Sequence, residues 1–389
     1  MTVLHRGAPP PPTGVSPDRP RVTELRLSAF GRHRGTTVPL GPFTVLTGPS
    51  GSGKSSALRA LEALAGLGGG AALADVFPDP PRYVPERSRP DAQHRRGFRI
   101  GCTVEGPAGP VRLDLAVQAE PELRIVGERL TGPGITYLET ALRDPGRRDV
   151  QAAWHTAGSV PVTRGPLPDD LLGTALLPLR VAGRTEGQRR VLAAAEQTVV
   201  GLRSVFACDP APARMRAPGR VHADRLSGGC DNLATVLRRT RAECGTRHSL
   251  LVAAARAGLA GPVADVLAEQ TSHGAVRAVI DRGDGTSTPL DRLADGELRY
   301  LALALVLLTG PRVLEVDPAA EVPEACQSLT ILADGLDRGL DSAQSTELVA
   351  LAARMCARGH IRLLASVAES GPAGRAAPAQ GASVVDLKP

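Results

Sequence analysis

One segment of the sequence combines residue types and spacing that suit the binding of phosphate groups. Residues 48–55 read GPSGSGKS and match G-x-x-x-x-G-K-[ST] at every fixed position. Glycines let backbone N–H groups turn towards phosphate oxygens, and a helix starting here adds its positive N-terminal dipole. Lys54 would bridge the β and γ phosphates of ATP, and the Ser55 hydroxyl would bind Mg²⁺. The predicted nucleotide contacts are Gly48, Ser50, Gly51, Ser52, Gly53, Lys54, Ser55 and Ser56.

The lysine content of the chain supports this interpretation of the loop. Lys and Arg number 46 against 40 Asp and Glu, which gives a formal net charge of +6. Only Lys54 and Lys388 are lysines, so arginine carries nearly all of the positive charge. An arginine-biased composition explains the basicity without a nucleic-acid partner, whereas the phosphate loop needs the compact charge of a lysine.

Hydrophobic periodicity around the loop predicts the elements that must position it. Residues 43–46 form an apolar strand in this prediction, and residues 55–67 carry leucines at helical spacing. A further strand is predicted over 21–30. Three short alternating segments follow, which is typical of an antiparallel meander. They cover residues 98–104, 111–117 and 123–130.

The rest of the chain changes from helical to alternating α/β texture. Segments with helical spacing are predicted over 171–179, 188–206, 232–243 and 249–269. A strand over 275–281 follows. The later predicted elements are a helix over 296–309, strands over 312–316 and 328–333, a helix over 342–358 and a strand over 361–366.

Several stretches resemble one group of nucleotide-binding proteins, in the same order from about residue 21 to 370. Residues 21–30 and 39–56 are similar to the opening of RecF/SMC/OLD-like ATPases, AAA-family ATP-binding proteins whose P-loop head is of the ABC type. Residues 223–237 (ADRLSGGCDNLATVL) and 293–308 (LADGE, then an apolar helix) are similar to later elements of that group. The resemblance implies an α/β fold: a P-loop NTPase of the ABC-ATPase type, with a mixed β-sheet core, an antiparallel β-meander and a helical insertion.

The resemblance divides the chain into four segments. They are a disordered Pro-rich tail over 1–20, the N-terminal lobe of the head over 21–150, a helical insertion over 151–285 and the C-terminal lobe over 286–389.

The resemblance also implies a second half to the nucleotide site. In such heads ATP lies between two protomers, with the phosphate loop of one facing the signature motif of the other. Assigning the signature to residues 293–297 implies nucleotide contacts from Asp295 and Gly296 and an ATP-dependent homodimer. Ala294 stands where the family has a serine, so one donor to the phosphate is missing. The string LSGGC over 226–230 is a closer copy of the motif, but no strongly apolar helix follows it directly, and a turn is predicted there.

Hydrolysis in this family depends on two acids at the end of an apolar strand. Asp334 and Asp317 both end such a segment, and the run DGLDRGLD from Asp334 aligns with the family's D-E-P-E-x-G-L-H. Asp334 is therefore the preferred Mg²⁺-associated acid beside Ser55, and Asp317 stays the alternative. In this register Gly335 and Val367 occupy the positions of the family's catalytic Glu and His.

These substitutions predict weak or absent hydrolysis, and no catalytic residue is assigned. Loss of a general base typically costs ~10²–10⁴ in rate, and loss of a donor to the transition state about 10²–10³. Glu315, Glu321 and Asp337 are candidate substitutes that the sequence does not position.

Two further groups have alternative interpretations. Phe30, Arg32 and His33 fall where such heads pass near the nucleotide base, and both a base contact and an ordinary strand end fit. One polar loop is rich in arginine and suits either contact with a nucleic-acid backbone or a solvated surface. Its arginines are Arg82, Arg87, Arg89, Arg95, Arg96 and Arg99.

The composition also bears on location. The longest apolar run, residues 300–308, is far shorter than the ~20 residues that cross a bilayer. The N-terminal residues lack the apolar core of a signal peptide, and the six cysteines show no zinc-ligand spacing. We therefore expect a cytoplasmic protein without membrane association.

Three functional hypotheses follow. The first is an ATP-binding, dimerising switch with weak or absent hydrolysis. The second is an active ATPase of DNA repair or phage defence. The third is a P-loop kinase or other transferase, against which the register of residues 293–367 argues.

Overall fold

The computed structural model describes residues 19–156, 161–218, 225–270, 274–316 and 327–387. Within them the strands are β1 (Arg21–Ser28), β2 (Thr36–Pro39), β3 (Phe43–Thr47), β4 (Arg96–Glu105), β5 (Val111–Glu120), β6 (Arg124–Gly132), β7 (Ile135–Ala141), β8 (Asp149–His155), β9 (Val162–Pro168), β10 (Val205–Cys208), β11 (Asp265–Gln270), β12 (Val276–Asp281), β13 (Ser287–Pro289), β14 (Leu329–Ala333), β15 (Ile361–Ser366) and β16 (Ser383–Asp386). The helices are α1 (Lys54–Gly68), α2 (Leu73–Val76), α3 (Gly173–Arg180), α4 (Glu186–Arg203), α5 (Pro212–Met215), α6 (Leu233–Glu243), α7 (Gly245–Gly258), α8 (Asp295–Leu307), α9 (Ser342–Ala357) and α10 (Pro372–Ala376).

The first sheet is antiparallel and has eight strands, in the order β2-β1-β4-β5-β6-β7-β8-β9. Its strands alternate in polarity: in β5, Val111, Leu113, Leu115 and Val117 are buried, and the residues between them are more exposed. This period of two gives the sheet one apolar face, which packs on α1 and α4. The open face carries the polar side chains.

The second sheet is wholly parallel and has five strands, in the order β10-β14-β15-β3-β16. Strands β14 and β15 are buried at every residue, as expected for parallel strands covered on both faces. Leu332 and Leu364 pack towards α1 and the antiparallel sheet, while Ile331 and Leu363 pack towards α8 and α9. Because the strands run parallel, β3, β14 and β15 end at one edge, where ligands bind in such sheets.

A third sheet, of strands β11-β12-β13, packs with α6 and α7 beside α8. Parallel and antiparallel strands of the described residues therefore lie in separate sheets, and not in the mixed core sheet that the resemblance implied. The predicted tail over 1–20 falls, for residues 1–18, outside the described residues.

Three secondary-structure predictions were wrong. The predicted helix over 249–269 ends at Gly258, because Gly261 takes a φ of +73° and Pro262 follows it, and β11 begins at Asp265. The predicted helix over 188–206 ends at Arg203, and the next four residues form β10 within the parallel sheet. The range 151–285 thus contains strands as well as helices.

The predicted strand over 312–316 is also not part of a sheet. Within it, Leu314 forms only an isolated bridge with Leu226. No helix in the described parts of the chain is long and apolar enough to cross a membrane.

Candidate nucleotide-binding site

The phosphate loop connects β3 to α1, and its backbone conformation requires glycine at three positions. Gly48, Gly51 and Gly53 have φ values of +134°, +78° and +100°. A Cβ at Gly48 would lie 2.6 Å from the Leu387 carbonyl oxygen, and one at Gly53 would lie 2.6 Å from His33 Nε2. The loop is therefore packed tightly against Leu387 and His33, and residues 48–56, which include the start of α1, line a cavity.

Lys54 is folded back over this loop. Its Nζ donates to the carbonyl oxygens of Gly48, at 2.6 Å, and Pro49, at 3.0 Å. The ammonium group is therefore already next to the backbone that would cradle a phosphate.

The acid Asp334 lies beside the phosphate loop. Asp334 Oδ1 accepts hydrogen bonds from Ser55 Oγ, at 3.1 Å, and from Ser366 Oγ, at 2.6 Å. Ser366 Oγ in turn accepts from the Gly335 N–H at 2.8 Å. Hydroxyl and carboxylate oxygens are ligands that Mg²⁺ accepts, so Ser55 and Asp334 form a suitable pair for it.

The alternative acid, Asp317, lies outside the described residues. The segment leading to it is attached to Leu226 rather than to the parallel sheet: Glu315 N donates to the Leu226 carbonyl at 2.9 Å. Glu315 does not line the loop cavity, and Glu321 is not among the described residues.

The cavity at this edge has a volume of about 680 Å³. Gly335, which has no side chain, and Val367, which is only 1% exposed, line it together with two acids, Asp337 and Glu369. Asp337 accepts from the Ala368 N–H at 3.3 Å. The structure thus brings acids to the cavity, but none at residue 335.

The predicted signature lies at the start of α8. Ala294 precedes the helix without a side-chain cap, and Arg216 Nη2 donates to the Leu293 carbonyl, at 2.9 Å, and to Asp295 Oδ1, at 2.6 Å. Asp295 and Gly296 do not line the phosphate-loop cavity of their own protomer.

The LSGGC string forms a turn before α6. The Cys230 N–H donates to the Ser227 carbonyl at 2.9 Å, and the Ser227 N–H donates to Asn232 Oδ1 at 3.1 Å. The Gly228 carbonyl accepts from the Asp209 N–H at 2.9 Å. This turn therefore packs on the end of β10.

A network around Arg299 was missed in the sequence. This buried arginine of α8 donates to Asp209 Oδ1 at 3.0 Å, to the Pro210 carbonyl at 2.6 Å and to the Gly335 carbonyl at 3.2 Å. Arg338, which lines the cavity, also contacts Asp209, at 3.4 Å. A single arginine inside the apolar run LRYLALALVLL was the signal available in the sequence.

The three residues expected near the base have different environments. Phe30 is buried in an aromatic cluster with Phe77, Tyr83 and Phe98, which leaves no free ring face for a base. His33 is also buried; its Nε2 bonds to the Gly53 carbonyl at 3.0 Å, and burial lowers its pKa, partly opposed by that hydrogen bond.

Arg32 lies in a second, larger cavity next to the phosphate loop. This cavity measures about 990 Å³ and shares Arg32, Gly51 and Ser52 with the first. Arg82 and Arg87 of the arginine-rich loop also line it, whereas Arg95 pairs with Asp91 and Arg96 pairs with Glu120. The arginine-rich loop is thus divided between this cavity and ordinary surface ion pairs.

No family model and no curated protein matches the sequence. Among solved structures, a crystal structure of an Smc head bound to the C-terminal winged-helix domain of ScpA is 12% identical, covers 94% of each chain and has a TM-score of 0.52. An Smc head with an extended coiled coil, bound to the C-terminal domain of ScpA derived from Pyrococcus furiosus, is 9% identical over 94% of this chain and 93% of that one, with a TM-score of 0.49. The SMC head domain from Thermotoga maritima is 13% identical over 92% of each chain, with a TM-score of 0.42.

The first of these similarities establishes the class of fold. The chain has the fold of an SMC head, which is a P-loop ATPase head of the ABC type. The P-loop ATPase fold that the sequence resemblance implied is therefore confirmed at the level of the fold class.

Proposed function

We propose that this chain is an ATP-binding head of the SMC-like class that acts as a dimerising switch and hydrolyses ATP slowly or not at all. The observation that carries the proposal is the pairing of an intact phosphate loop with Asp334, 3.1 Å from Ser55, beside a residue 335 that has no side chain. Lys54 and the loop N–H groups bind the phosphates, and Ser55 with Asp334 binds Mg²⁺. Mg²⁺ neutralises phosphate charge when it is bound.

The proposed dimer completes the site from the opposite side. Asp295 and Gly296, at the N-terminus of α8, meet the nucleotide of a second copy, and the positive end of the helix attracts the terminal phosphate. ATP then stabilises the closed pair because it binds that state more tightly than the open one.

Slow hydrolysis follows from the residues at the cavity edge. Gly335 cannot act as a general base, and Val367 offers no hydrogen-bond donor from its side chain. Asp337 and Glu369 line the cavity, but neither follows Asp334 directly.

The binding proposal is tested with wild type and Lys54→Ala in titrations with Mg²⁺-ATP. Because charge-assisted hydrogen bonds are worth about 1.5–3 kcal/mol, we expect affinity to fall by roughly 10–100-fold. Arg277→Ala, at an exposed ion pair with Asp291, is the matched control and should bind like wild type. Equal affinity of wild type and Lys54→Ala would contradict the proposal.

Turnover and sedimentation of the same samples test the switch. We expect ATP to increase the fraction of dimer, and turnover to lie well below the common enzymatic range of about 1–10³ s⁻¹. Turnover within that range, lost in Lys54→Ala, would instead support the active ATPase. Phosphate transfer to a small acceptor without a dimer would support the kinase.

One observation favours the DNA-repair or phage-defence alternative. Four arginines without an ion pair among the described residues line the second cavity: Arg32, Arg34, Arg82 and Arg87. A nucleic-acid backbone would pair with them, and binding would then weaken steeply as salt rises. Titration with duplex DNA at two salt concentrations, with and without ATP, distinguishes this alternative.

A further inference from the structure

The space that a side chain at residue 335 would enter is already filled. Gly335 has a φ of +65°, and a Cβ built on it would lie 2.9 Å from Arg338 Nε and 3.0 Å from Arg338 Nη2. The guanidinium of Arg338 therefore lies where the first atoms of a longer side chain at 335 would be. At this point the cavity carries a positive charge in place of the carboxylate that the family resemblance implies.

Arg338 is held here by weak contacts only. Its Nη1 lies 3.4 Å from both carboxylate oxygens of Asp209, and its Nη2 lies 4.0 Å from Asp334 Oδ2. The side chain is 55% exposed, so these long contacts are also screened by water. Because these contacts are weak, Arg338 can leave Asp209 and Asp334 for an anion of higher charge with little loss of interaction free energy.

The strongest anion expected in the same cavity is a nucleotide phosphate. Arg338 and the phosphate loop line one cavity, together with Ser55 and Asp334. A guanidinium forms paired, charge-assisted hydrogen bonds with phosphate oxygens, and its donors are rigidly spaced for this purpose. The guanidinium of Arg338, next to Gly335, is thus a cation in this cavity in addition to Lys54.

We propose that Arg338 binds the terminal phosphate of the nucleoside triphosphate and so makes the site select triphosphate over diphosphate. This inference rests on the proposed ATP-binding function. Arg338 leaves Asp209 when it binds the phosphate, and Asp209 remains paired with Arg299 of α8. Glycine at residue 335 then has two reasons. Its positive φ favours glycine, and any side chain there would displace the guanidinium of Arg338.

The experiment compares the affinities of wild type, Arg338→Ala and Arg338→Lys for Mg²⁺-ADP and for a non-hydrolysable ATP analogue with Mg²⁺. For Arg338→Ala we expect a loss of about tenfold or more for the analogue and less than twofold for ADP. Arg338→Lys keeps the charge but not the paired geometry and should fall between. Arg277→Ala is again the control, and both of its affinities should match wild type.

A second variant, Gly335→Ala, tests the inference without removing the arginine. Its methyl group would displace the guanidinium, so the ratio of analogue to ADP affinity should fall as it does in Arg338→Ala. Equal losses for both nucleotides, or no loss for either, in Arg338→Ala would overturn the inference. Failure of the proposed function would give a different result. Wild type and Lys54→Ala would then have the same affinity for the ATP analogue, and the same affinity for ADP.

Discussion

At the scale of single residues, His33 is a buried side chain that contacts the backbone of the phosphate loop. It is 4% exposed, and Thr36 Oγ1 lies 3.1 Å from its Nδ1. Since the Gly53 carbonyl can only accept, Nε2 carries the proton in the neutral ring. The imidazole therefore donates a hydrogen bond to the carbonyl of Gly53, the last glycine of the phosphate loop, and holds this glycine in place.

The lowered pKa of His33 predicts a pH dependence of stability. The unfolded chain binds a proton at His33 near pH 6.5, whereas the folded chain does so only at lower pH. Between these values the unfolded state binds more protons, so the free energy of unfolding falls as the pH drops below about 6.5. In His33→Gln we expect a shallower fall, measured by urea unfolding between about pH 8 and 5. Parallel curves for the two proteins would contradict the argument.

At the scale of elements, α8 is joined closely to the chain that follows β14. A Cβ on Gly296 would lie 2.2 Å from the carbonyl oxygen of Gly339. Arg299, one turn further along the helix, donates to the Gly335 carbonyl. Close packing within one protomer therefore requires a glycine at residue 296. This requirement is separate from the phosphate contact that we propose for Gly296 in the dimer.

Gly296→Ala should push α8 away from the turn at Gly339. Overpacking against backbone typically costs about 1–3 kcal/mol in the free energy of unfolding. Gly310→Ala is the matched control, because a Cβ there has nothing within 4 Å and should cost little. Denaturant unfolding measures the free energy of unfolding of both variants. Equal values would show that α8 and the Gly339 turn can move apart without loss of stability.

At the scale of the whole molecule, one buried arginine joins the two large sheets. Arg362 of β15 donates through Nη2 to the carbonyl oxygens of Val22, Leu40 and Gly41, at 3.2, 2.7 and 3.0 Å. Burial lowers the pKa of this arginine to about 10. The interaction connects the parallel sheet to β1 of the antiparallel sheet.

Replacing this arginine should destabilise the whole head. Arg362→Met keeps most of the apolar stem but leaves the three carbonyl oxygens without this donor, which we expect to cost about 2–4 kcal/mol in the free energy of unfolding. Arg277→Met, at an exposed position, should change stability by less than about 0.5 kcal/mol. Chemical unfolding followed by circular dichroism checks both. A loss no larger than that of the control would contradict the role given to Arg362.

The sequence by itself determined the features that depend on neighbouring residues. The loop over 48–55, the strand before it and helix α1 follow from local spacing, and so does α8, whose apolar run is interrupted only by Arg299. The first two residues of β10 and most of β11 were predicted as helix, because Ala- and Leu-rich neighbours dominate so short a window.

Only the tertiary structure decided which distant residues meet. Ser366 and Ser55 converge on one oxygen of Asp334, the LSGGC turn packs on the end of β10, and Arg338 fills the space at Gly335. These contacts depend on the order of parallel strands in the sheet. That order is set by packing between segments that are hundreds of residues apart, which local spacing does not encode.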